Sequence, residues 1–350
     1  MGRNHARVLS SLPGVQLVAV ADPDPSARSP ASGVLVVRGI SQLLSCGIDM
    51  CVVAAPTRTH FDIGMRLAKA GVHALIEKPL AASADQGRRL ADAFSAAGLV
   101  GCVGHIERFN PAARGMRDLV RRAEIGRVLQ ITTSRQGPYP DRIRDVGVVL
   151  DLASHDIDLT RWISGCAYES VAATTTRIIS ADHEDMAVVT GTLRDGTVVS
   201  HLANWLSPLK ERLVTVTGTG GCLRADLLAG DLWLRSGELA GDGGMGSAGD
   251  VQLPAGQMIP CPVATHEPLR AELEAFREAV RGCGTDIISL REGTEVLEVA
   301  TAMLAKTPLN TSPTVILPHG IGAVTVQARG TIPAVLAAQL VPAATSKHVL

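Results

Sequence analysis

Apolar and polar positions in the first hundred residues follow the order of strands and helices that is typical of a doubly wound parallel sheet. The apolar run at Val15–Ala21 stops at Asp22, and a second run at residues 72–76 leads into Glu77. Both runs are typical of strands buried on two faces. The pattern predicts helices over residues 3–11, 41–44, 60–70 and 84–97, and strands over residues 15–21, 34–37, 49–55, 72–76 and 99–103.

The pattern changes at about residue 127, where strands begin to follow one another without helices between them. Such an arrangement indicates an α+β domain with an open antiparallel sheet. Gly241–Gly249 is predicted to be a flexible surface loop. The predicted strands cover residues 127–134, 169–179, 185–193, 197–205, 212–218 and 222–235, and the predicted helices cover residues 148–164, 267–281 and 289–305.

Residues 307–350 differ from the rest of the chain. Their only charged side chains are Arg329 and Lys347, and five prolines interrupt any periodicity. An arm exchanged between subunits is one interpretation. We favour a poorly ordered tail, or sequence foreign to the ancestral domain.

Composition then narrows the function classes. The chain has 350 residues, 46% of them apolar and 19% charged, which suits two globular domains rather than a disordered protein. A net charge of −1 and an aromatic content of 3% give no support for nucleic-acid or anionic-membrane binding. Seven scattered cysteines fit reduced thiols better than disulfides or a zinc site. Without a leader-like segment or a 20-residue apolar run, we expect a cytoplasmic protein without a metal.

The start of the chain resembles part of a dinucleotide-binding unit. Gly2 stands directly ahead of the first helix, where the third glycine of G-x-G-x-x-G falls, and Asp22 follows about 20 residues later, where a carboxylate binds the ribose diol. The first strand and the other glycines have no counterpart after Met1. We therefore expect either a start upstream or weak dinucleotide binding. Asp22 favours NAD over NADP, because a 2′-phosphate would meet its carboxylate.

Two further features carry chemistry. Lys78 follows the strand at residues 72–76 and precedes Pro79, which restricts its backbone, so its ammonium can be held at the ligand-binding edge of the sheet. Asp151 and His155 lie one turn apart on the helix at 148–164, in a narrow polar stripe with Asp158 and Trp162 between apolar walls. Lys78 can polarise a substrate oxygen, and either Lys78 or His155 can be the proton acceptor. A solvated turn and a histidine bonded to loop backbone are the structural alternatives.

These residues occur in a combination that resembles the Gfo/Idh/MocA family of NAD(P)-dependent sugar and cyclitol dehydrogenases, over about residues 1–305. No single motif is specific to that family, but their combination is. The matching pieces are MGRNHARVL (1–9), AVADPDP (19–25), AAPTRTH (54–60), EKPL (77–80), GHIERFNP (104–111) and DLASHDID (151–158).

The resemblance implies catalytic roles for Lys78, Asp151 and His155. It places Pro56, Thr57 and His60 along the nicotinamide ribose or diphosphate, and it adds Glu77 and Lys78 to Gly2 and Asp22 as cofactor-binding residues. The open sheet is the common subunit interface of the family, so a homodimer or homotetramer is expected. The implied domains are a dinucleotide-binding domain at 1–106, truncated at its start, and a substrate and oligomerisation domain at 107–306.

The substrate is the least determined part. Several arginines suit phosphate or carboxylate, although we expect at least half of them to be solvated. The ERFNP and NWLxPxKER pieces resemble enzymes acting at C3 of UDP-N-acetylglucosamine-type sugars. The chain is also similar to dehydrogenases of aminoglycoside (streptomycin-type) antibiotic clusters, whose substrates are cyclitols, and 28 arginines against 5 lysines suit a GC-rich producer. The predicted substrate residues are Arg108, Asn110, Arg135, Tyr139, Arg142 and Arg212.

The resulting hypothesis is an NAD-dependent oxidoreductase that moves hydride between nicotinamide and a secondary alcohol or ketone of a sugar, nucleotide sugar or cyclitol. The alternative is a non-catalytic nucleotide-binding sensor or regulatory protein with the same fold. The set Lys78, Asp151 and His155 favours the enzyme, whereas the incomplete phosphate loop favours the sensor.

Overall fold

The N-terminal part is built from parallel strands with helices between them. The computed structural model describes residues 1–29, 31–140, 145–237, 257–284 and 286–305. Its first strands form a two-stranded sheet of β1 and β2 and a three-stranded sheet in the order β3-β4-β5. The elements are α1 (Gly2–Leu9), β1 (Ala19–Ala21), β2 (Leu35–Val37), α2 (Ile40–Leu44), β3 (Met50–Val53), α3 (Thr57–Lys69), β4 (His73–Glu77), α4 (Ala84–Ala96) and β5 (Gly101–Gly104).

The strand β4 lies in the middle of its sheet and carries the EKP turn at its carboxyl end. It pairs in parallel with β3 and with β5, and Glu77 lies opposite Gly104 in the register with β5. Ala74, Leu75 and Ile76 are buried on both faces of the sheet. The predicted alternation of helices and strands is confirmed here, although β1 and β3 are shorter than the apolar runs that predicted them.

The C-terminal part is a mixed eight-stranded sheet in the order β13-β12-β11-β10-β6-β9-β8-β7. The predicted open antiparallel sheet is confirmed, with one parallel pair in addition, because β6 runs parallel to β9. The chain leaves β6 through a helix and the β7–β8 hairpin before it returns as β9. The strands are β6 (Val128–Gln136), β7 (Tyr168–Thr176), β8 (Met186–Leu193), β9 (Val198–Asn204), β10 (Glu211–Gly218), β11 (Gly221–Asp226), β12 (Asp231–Ser236) and β13 (Ile259–Pro260).

Helices cover one face of this sheet and connect it to the parallel strands. Val199, Val214 and Val216 are fully or almost fully buried beneath them, together with Leu159 from the helix after the π turn. The remaining elements are a 3-10 turn (Ile106–Phe109), α5 (Pro111–Arg121), a π turn (Val149–Ala153), α6 (Ser154–Ser164), α7 (Pro268–Val280) and α8 (Leu290–Ala305).

Two predicted elements differ from the structure, and one helix was not predicted. Residues 222–235 form two strands of a hairpin, because the chain reverses after Asp226 and Gly230 adopts a positive φ of 77°. The helix predicted over 148–164 begins with a π turn. The helix α5 was not predicted, although Asn110 and Pro111 are a strong start signal: Ala112 N–H donates to Asn110 Oδ1 at 3.0 Å.

Two predicted segments, the loop Gly241–Gly249 and the tail 307–350, lie outside the described residues. The domain boundaries at 106 and 306 stay predictions. None of the helices in the described ranges is long and apolar enough to cross a membrane. All seven cysteines are free.

Candidate active site

The EKP lysine and the helix that begins near residue 149 meet at one point. Lys78 Nζ donates to Asp151 Oδ1 at 2.6 Å and to the Asp151 carbonyl oxygen at 2.8 Å. The two side chains are 16% and 11% exposed, so the ion pair is shielded but open on one side. The parallel sheet delivers Lys78, and the second domain delivers Asp151, from 73 residues later in the chain. The prediction that Lys78 and Asp151 share a site is supported by this geometry.

Asp151 lies within the π turn and not in a regular helix. A π turn widens the helix by one residue, and such turns occur frequently at functional sites. Here the turn places both the carbonyl and the carboxylate of Asp151 within reach of one ammonium. Regular α-helical spacing, on which the prediction was based, does not anticipate this double contact.

His155 lies in the first turn of α6 and is 9% exposed. Its Nδ1 is buried and has no hydrogen-bond partner among the described residues. The edge of the buried His105 ring faces it, with 6.2 Å between ring centroids and 85° between ring planes. Burial, followed by the positive charges of Lys78 and Arg135, lowers the pKa of His155 well below its ordinary value. His155 is therefore a neutral imidazole beside a cation at neutral pH.

The other half of the polar stripe is paired inside the protein. Asp158 is fully buried and accepts from Arg108 Nη2 at 2.6 Å and from Arg108 Nε at 2.9 Å. Arg117 lies 4.3 Å from the ring centroid of Trp162 and donates to the Trp162 carbonyl at 3.0 Å. Asp151 and His155 of the stripe thus face the candidate site. Asp158 and Trp162 instead hold the helix against neighbouring segments.

Glu77 stabilises the EKP turn through hydrogen bonds within the protein. His5 Nε2 on α1 donates to Glu77 Oε1 at 2.7 Å, and the Lys78 N–H donates to Glu77 Oε2 at 3.2 Å. Burial acts to raise the pKa of Glu77, but the His5 hydrogen bond and the nearby charges hold it below its ordinary value. Glu77 thus faces protein groups, in contrast to the predicted cofactor contact.

His60 is also a brace and not an open ligand. Its Nδ1 lies 2.9 Å from the Pro79 carbonyl, its Nε2 lies 2.8 Å from the Ala55 carbonyl, and the side chain is almost completely buried. Both ring nitrogens are thereby occupied, which differs from the predicted contact with the nicotinamide ribose or diphosphate. His60 instead ties α3 to the turns after β3 and β4.

Gly2, Asp22 and the start of α3 fit a dinucleotide. Gly2 begins α1, and a Cβ placed on it would lie 4.0 Å from Ala54 Cβ, so the helix N-terminus stands beside the end of β3 with open space around it. Exposed Asp22 follows β1 directly. Helix N-termini hold phosphates, and a carboxylate at this strand end holds a ribose diol.

Pro56 and Thr57 begin α3 at the same edge of the sheet. Pro56 is exposed at the N-cap, and the Thr57 N–H donates to Asp145 Oδ2 at 3.1 Å. These residues can flank a bound nucleotide, and their contacts with it stay predictions.

Three of the predicted substrate residues have structural contacts instead. Arg108 bridges Asp158 and Glu292, and Arg135 bridges Asp156 and Glu107, with Nε to Asp156 Oδ1 at 2.9 Å and Nη1 to Glu107 Oε1 at 2.6 Å. Both guanidinium groups are buried.

Asn110 caps α5 and donates to the Leu227 carbonyl at 2.9 Å. Asn110, Arg108 and Arg135 thus already use polar groups within the protein, and their contact with a substrate stays a prediction.

Arg212 and Tyr139 remain candidates for the substrate pocket. Arg212 is the cross-strand neighbour of Arg135, and its Nη1 donates to the Gln136 carbonyl at 2.7 Å. Burial and the charge of Arg135 lower its pKa, and its charge contributes to the lowered pKa of His155. Tyr139 packs edge-on against Trp205 with 5.6 Å between ring centroids. Arg142 lies outside the described residues.

Two residues that position α6, the helix that carries His155, were not predicted from the sequence. Asp156 is fully buried and pairs with Arg135, and His105 faces His155 from the end of β5. Both stood within motifs that were recognised, GHIERFNP and DLASHDID, as polar residues on segments expected to be buried. That signal could have identified them. In the described part of the chain, no three His, Cys, Asp or Glu side chains are grouped to hold a metal ion.

Comparisons with known families agree with this arrangement. A family model described as the oxidoreductase family with an NAD-binding Rossmann fold matches residues 1–105. A second model, described as the GFO/IDH/MocA C-terminal domain, matches residues 113–224. The two matches together cover more than half of the chain and include Lys78, Asp151 and His155.

The chain matches only part of the length of its curated relatives. The chain is 31% identical over 206 residues to UDP-N-acetylglucosamine 3-dehydrogenase of Acidithiobacillus ferrooxidans, which is 58% of this chain and 64% of the relative. It is 27% identical over 239 residues to inositol 2-dehydrogenase of Rhizobium meliloti, 65% of this chain and 72% of the relative. The chain thus spans less than two thirds of the first of these relatives.

Solved structures match over a larger share. UDP-N-acetylglucosamine 3-dehydrogenase GnnA from Acidithiobacillus ferrooxidans superimposes with a TM-score of 0.74 at 25% identity, over 87% of this chain and 94% of that chain. GenD2 from gentamicin A biosynthesis, in complex with NAD, gives a TM-score of 0.72 at 27% identity, over 87% of this chain and 90% of that chain.

Proposed function

Because the chain belongs to the GFO/IDH/MocA oxidoreductase family, we propose that it is an NAD-dependent dehydrogenase of a secondary alcohol in a sugar, nucleotide sugar or cyclitol. The observation that carries the proposal is the Lys78–Asp151 ion pair beside a neutral, buried His155. Asp22 favours NAD over NADP by repelling a 2′-phosphate. Bound NAD supplies the hydride acceptor for the alcohol carbon, or the hydride donor in the reverse direction.

Lys78 and His155 have different roles at the substrate oxygen. An ammonium has three donors, and Asp151 receives Lys78 contacts on two of its oxygen atoms. A remaining Lys78 N–H donates to the substrate hydroxyl and stabilises alkoxide character as the proton leaves. Protonated Lys78 has no lone pair, whereas neutral His155 has one, so His155 accepts the proton. Asp151 holds Lys78 in place.

Three residues at one edge of the large sheet support the proposed substrate class. Arg212, Tyr139 and Asn204 lie on or next to strands β6, β9 and β10, at the ends nearest Arg135. The planar fork of an arginine suits the diphosphate of a nucleotide sugar or the hydroxyl groups of a polyhydroxylated ring. Relatives named for UDP-N-acetylglucosamine and for inositol support the same range, and the gentamicin neighbour supports a role in aminoglycoside biosynthesis.

The outer face of the large sheet suits a subunit interface. Thr215, Thr132, Ser200 and Thr190 form one uncharged row across four adjacent strands. Their sequence neighbours, such as Ile131, point into the core on the other face. We therefore propose a homodimer or homotetramer built through this face. The free cysteines suit a reducing cytoplasm.

NADH formation tests the proposed function. The purified protein is incubated with NAD and, in turn, UDP-N-acetylglucosamine, inositols and related polyols, and NADH absorbance is followed. At least one substrate should give steady turnover. Lys78→Met should lower kcat at least about a hundredfold, as expected for loss of a positioned polar catalyst. Lys69→Met, on the surface of α3, is the matched control and should leave kcat unchanged. Equal turnover by the Lys78 and Lys69 variants would refute the assignment.

A further inference from the structure

Glu184 is a buried carboxylate that no motif indicated and that the proposed reaction does not use. It lies in the connection before β8 and is 7% exposed. Its Oε1 accepts from the Val149 N–H at 3.0 Å, and its own carbonyl accepts from the Val148 N–H at 2.9 Å. One residue thus receives two consecutive N–H groups at the start of the π turn, from 35 positions away in sequence.

The contact replaces a cap that the local sequence lacks. The first N–H groups of a helix have no partner within it, and a side-chain oxygen or an anion there stabilises the helix start. Val148 precedes the turn and has no side chain that can accept a hydrogen bond. Removal of the Glu184 side chain would leave the fully buried Val149 N–H without this acceptor, whereas the Val148 N–H would keep the carbonyl of residue 184.

Gly147 permits the close approach of Glu184. A Cβ built on Gly147 would overlap the Glu184 carboxylate group, so an alanine there must displace either the carboxylate or the turn. The Gly147 carbonyl in turn accepts from the Asp151 N–H at 2.9 Å. Gly147 is therefore linked to Asp151 by a hydrogen bond. Glu184 contacts both Gly147 and Val149.

Glu184 itself is held from the opposite direction. The next residue, Asp185, accepts through Oδ2 from the N–H groups of Ile178 and Ile179 at 2.8 and 2.6 Å. The Asp185 carbonyl accepts from the Trp205 N–H at 2.9 Å. The loop is thus anchored to its surroundings, and a fixed loop can define where the π turn begins.

We propose that Glu184 is a positioning residue for the Lys78–Asp151 pair. It fixes the start of the π turn, and the turn fixes the two Asp151 oxygens that receive Lys78 Nζ. Its effect on turnover rests on the proposed function, but its effect on Lys78 does not. A displacement of about 1 Å at a reacting group can lower a rate by roughly a hundredfold.

The test compares Glu184→Ala, Glu184→Gln, Gly147→Ala and the double variant Gly147→Ala/Glu184→Ala. Ser83→Ala, which removes the side-chain cap of α4 and no contact of the π turn, is the matched control. The protein is produced with ¹³C,¹⁵N-labelled lysine, which leaves every ammonium group unmodified, and the side-chain resonance of Lys78 is assigned with Lys78→Arg. With only five lysines in the chain, the spectrum is simple.

Glu184→Ala and Gly147→Ala should each move the Lys78 resonance and leave the Lys69 resonance in place. Both should lower kcat roughly tenfold to a hundredfold with less than a twofold change in the Kd for NAD. Glu184→Gln, whose amide oxygen can still accept from Val149, should stay within about threefold of wild type. The double variant should not be worse than either single one, because the overlap and the cap are lost together.

A wild-type Lys78 resonance and titration in Glu184→Ala would overturn the proposal, whatever the turnover. Should Glu184→Ala fail to fold, Gly147→Ala decides by the same resonance. If the wild type turns over no substrate, the Lys78 resonance still tests this proposal while the proposed function fails. Additive losses of kcat in the double variant would also contradict it.

Discussion

The protonation of His155 determines when the site can accept a proton. Burial and the cations Lys78 and Arg135 lower the pKa of this imidazole well below the ordinary 6.5. A base with a lowered pKa stays unprotonated to lower pH, so activity in the direction of alcohol oxidation should persist below the pH at which an ordinary histidine fails. His155 is thus a weaker base than an ordinary histidine, but it stays unprotonated to lower pH.

The pH profile of kcat/KM tests this role. We expect the acid limb assigned to His155 to lie below pH 6.5, the ordinary value for histidine, and His155→Asn to abolish that limb and lower kcat/KM by roughly 10²- to 10⁴-fold. His183→Asn, in a loop outside the site, is the control and should keep the wild-type profile. An acid limb above that pH, or an unchanged limb in His155→Asn, would assign the proton acceptor to another group.

At the scale of elements, two consecutive residues of the 3-10 turn connect the catalytic helix to the rest of the fold. Glu107 pairs with Arg135 of β6, and Arg108 pairs with Asp158 of α6. Arg135 in turn pairs with Asp156 of α6 at 2.9 Å. The helix that presents His155 is therefore fixed through Asp156 and Asp158, both of which follow His155 in α6.

Arg135→Met should destabilise the protein by about 3–5 kcal/mol, because it leaves Asp156 buried without its cation. Burial already raises the pKa of Asp156 despite Arg135, so the unpaired carboxyl group should take up a proton more readily still. Urea unfolding measures the change in free energy. Arg88→Met, which breaks an exposed pair with Glu298, should change it by about 0–1 kcal/mol. Similar values for the two variants would show that the buried pair does not stabilise α6.

The elements predicted correctly from the sequence are those whose structure one local pattern determines. The apolar run before Glu77 gave β4 and the position of Lys78, and the polar stripe with its apolar walls gave the buried helix with Asp151 and His155. The parallel pairing of β6 and β9 and the π turn depend on contacts between distant segments. No local periodicity encodes either of them.

The site residues divide in the same way. Lys78, Asp151 and His155 come together as their motifs indicated. Arg108 and Arg135 were expected to bind substrate, because an arginine in sequence does not reveal whether a carboxylate is already beside it. Only the packing of α6 against the sheet and the 3-10 turn shows that Asp156, Asp158 and Glu107 are their partners.

At the scale of the molecule, the uncharged row Thr215–Thr132–Ser200–Thr190 on the outer face of the eight-stranded sheet predicts self-association. Sedimentation equilibrium should give the mass of a dimer or tetramer. Ser200→Glu, in the middle of the Thr215–Thr132–Ser200–Thr190 row, should shift the protein toward monomer, since like charges would face each other across a two-fold interface. Glu169→Gln on the exposed end of β7 is the control. A wild-type protein that is monomeric at all concentrations would exclude this interface.

In the proposed function, the two domains together move a hydride between a substrate carbon and the nicotinamide ring. A substrate identified by NADH formation is synthesised with deuterium on the carbon that bears the reacting hydroxyl, and the reduced nucleotide is analysed by mass spectrometry. We predict that deuterium appears on the nicotinamide ring with the wild type and falls by at least about a hundredfold in rate with Lys78→Met. Binding of NAD without any deuterium transfer from sugars, nucleotide sugars or cyclitols would contradict the account and favour a nucleotide-binding sensor.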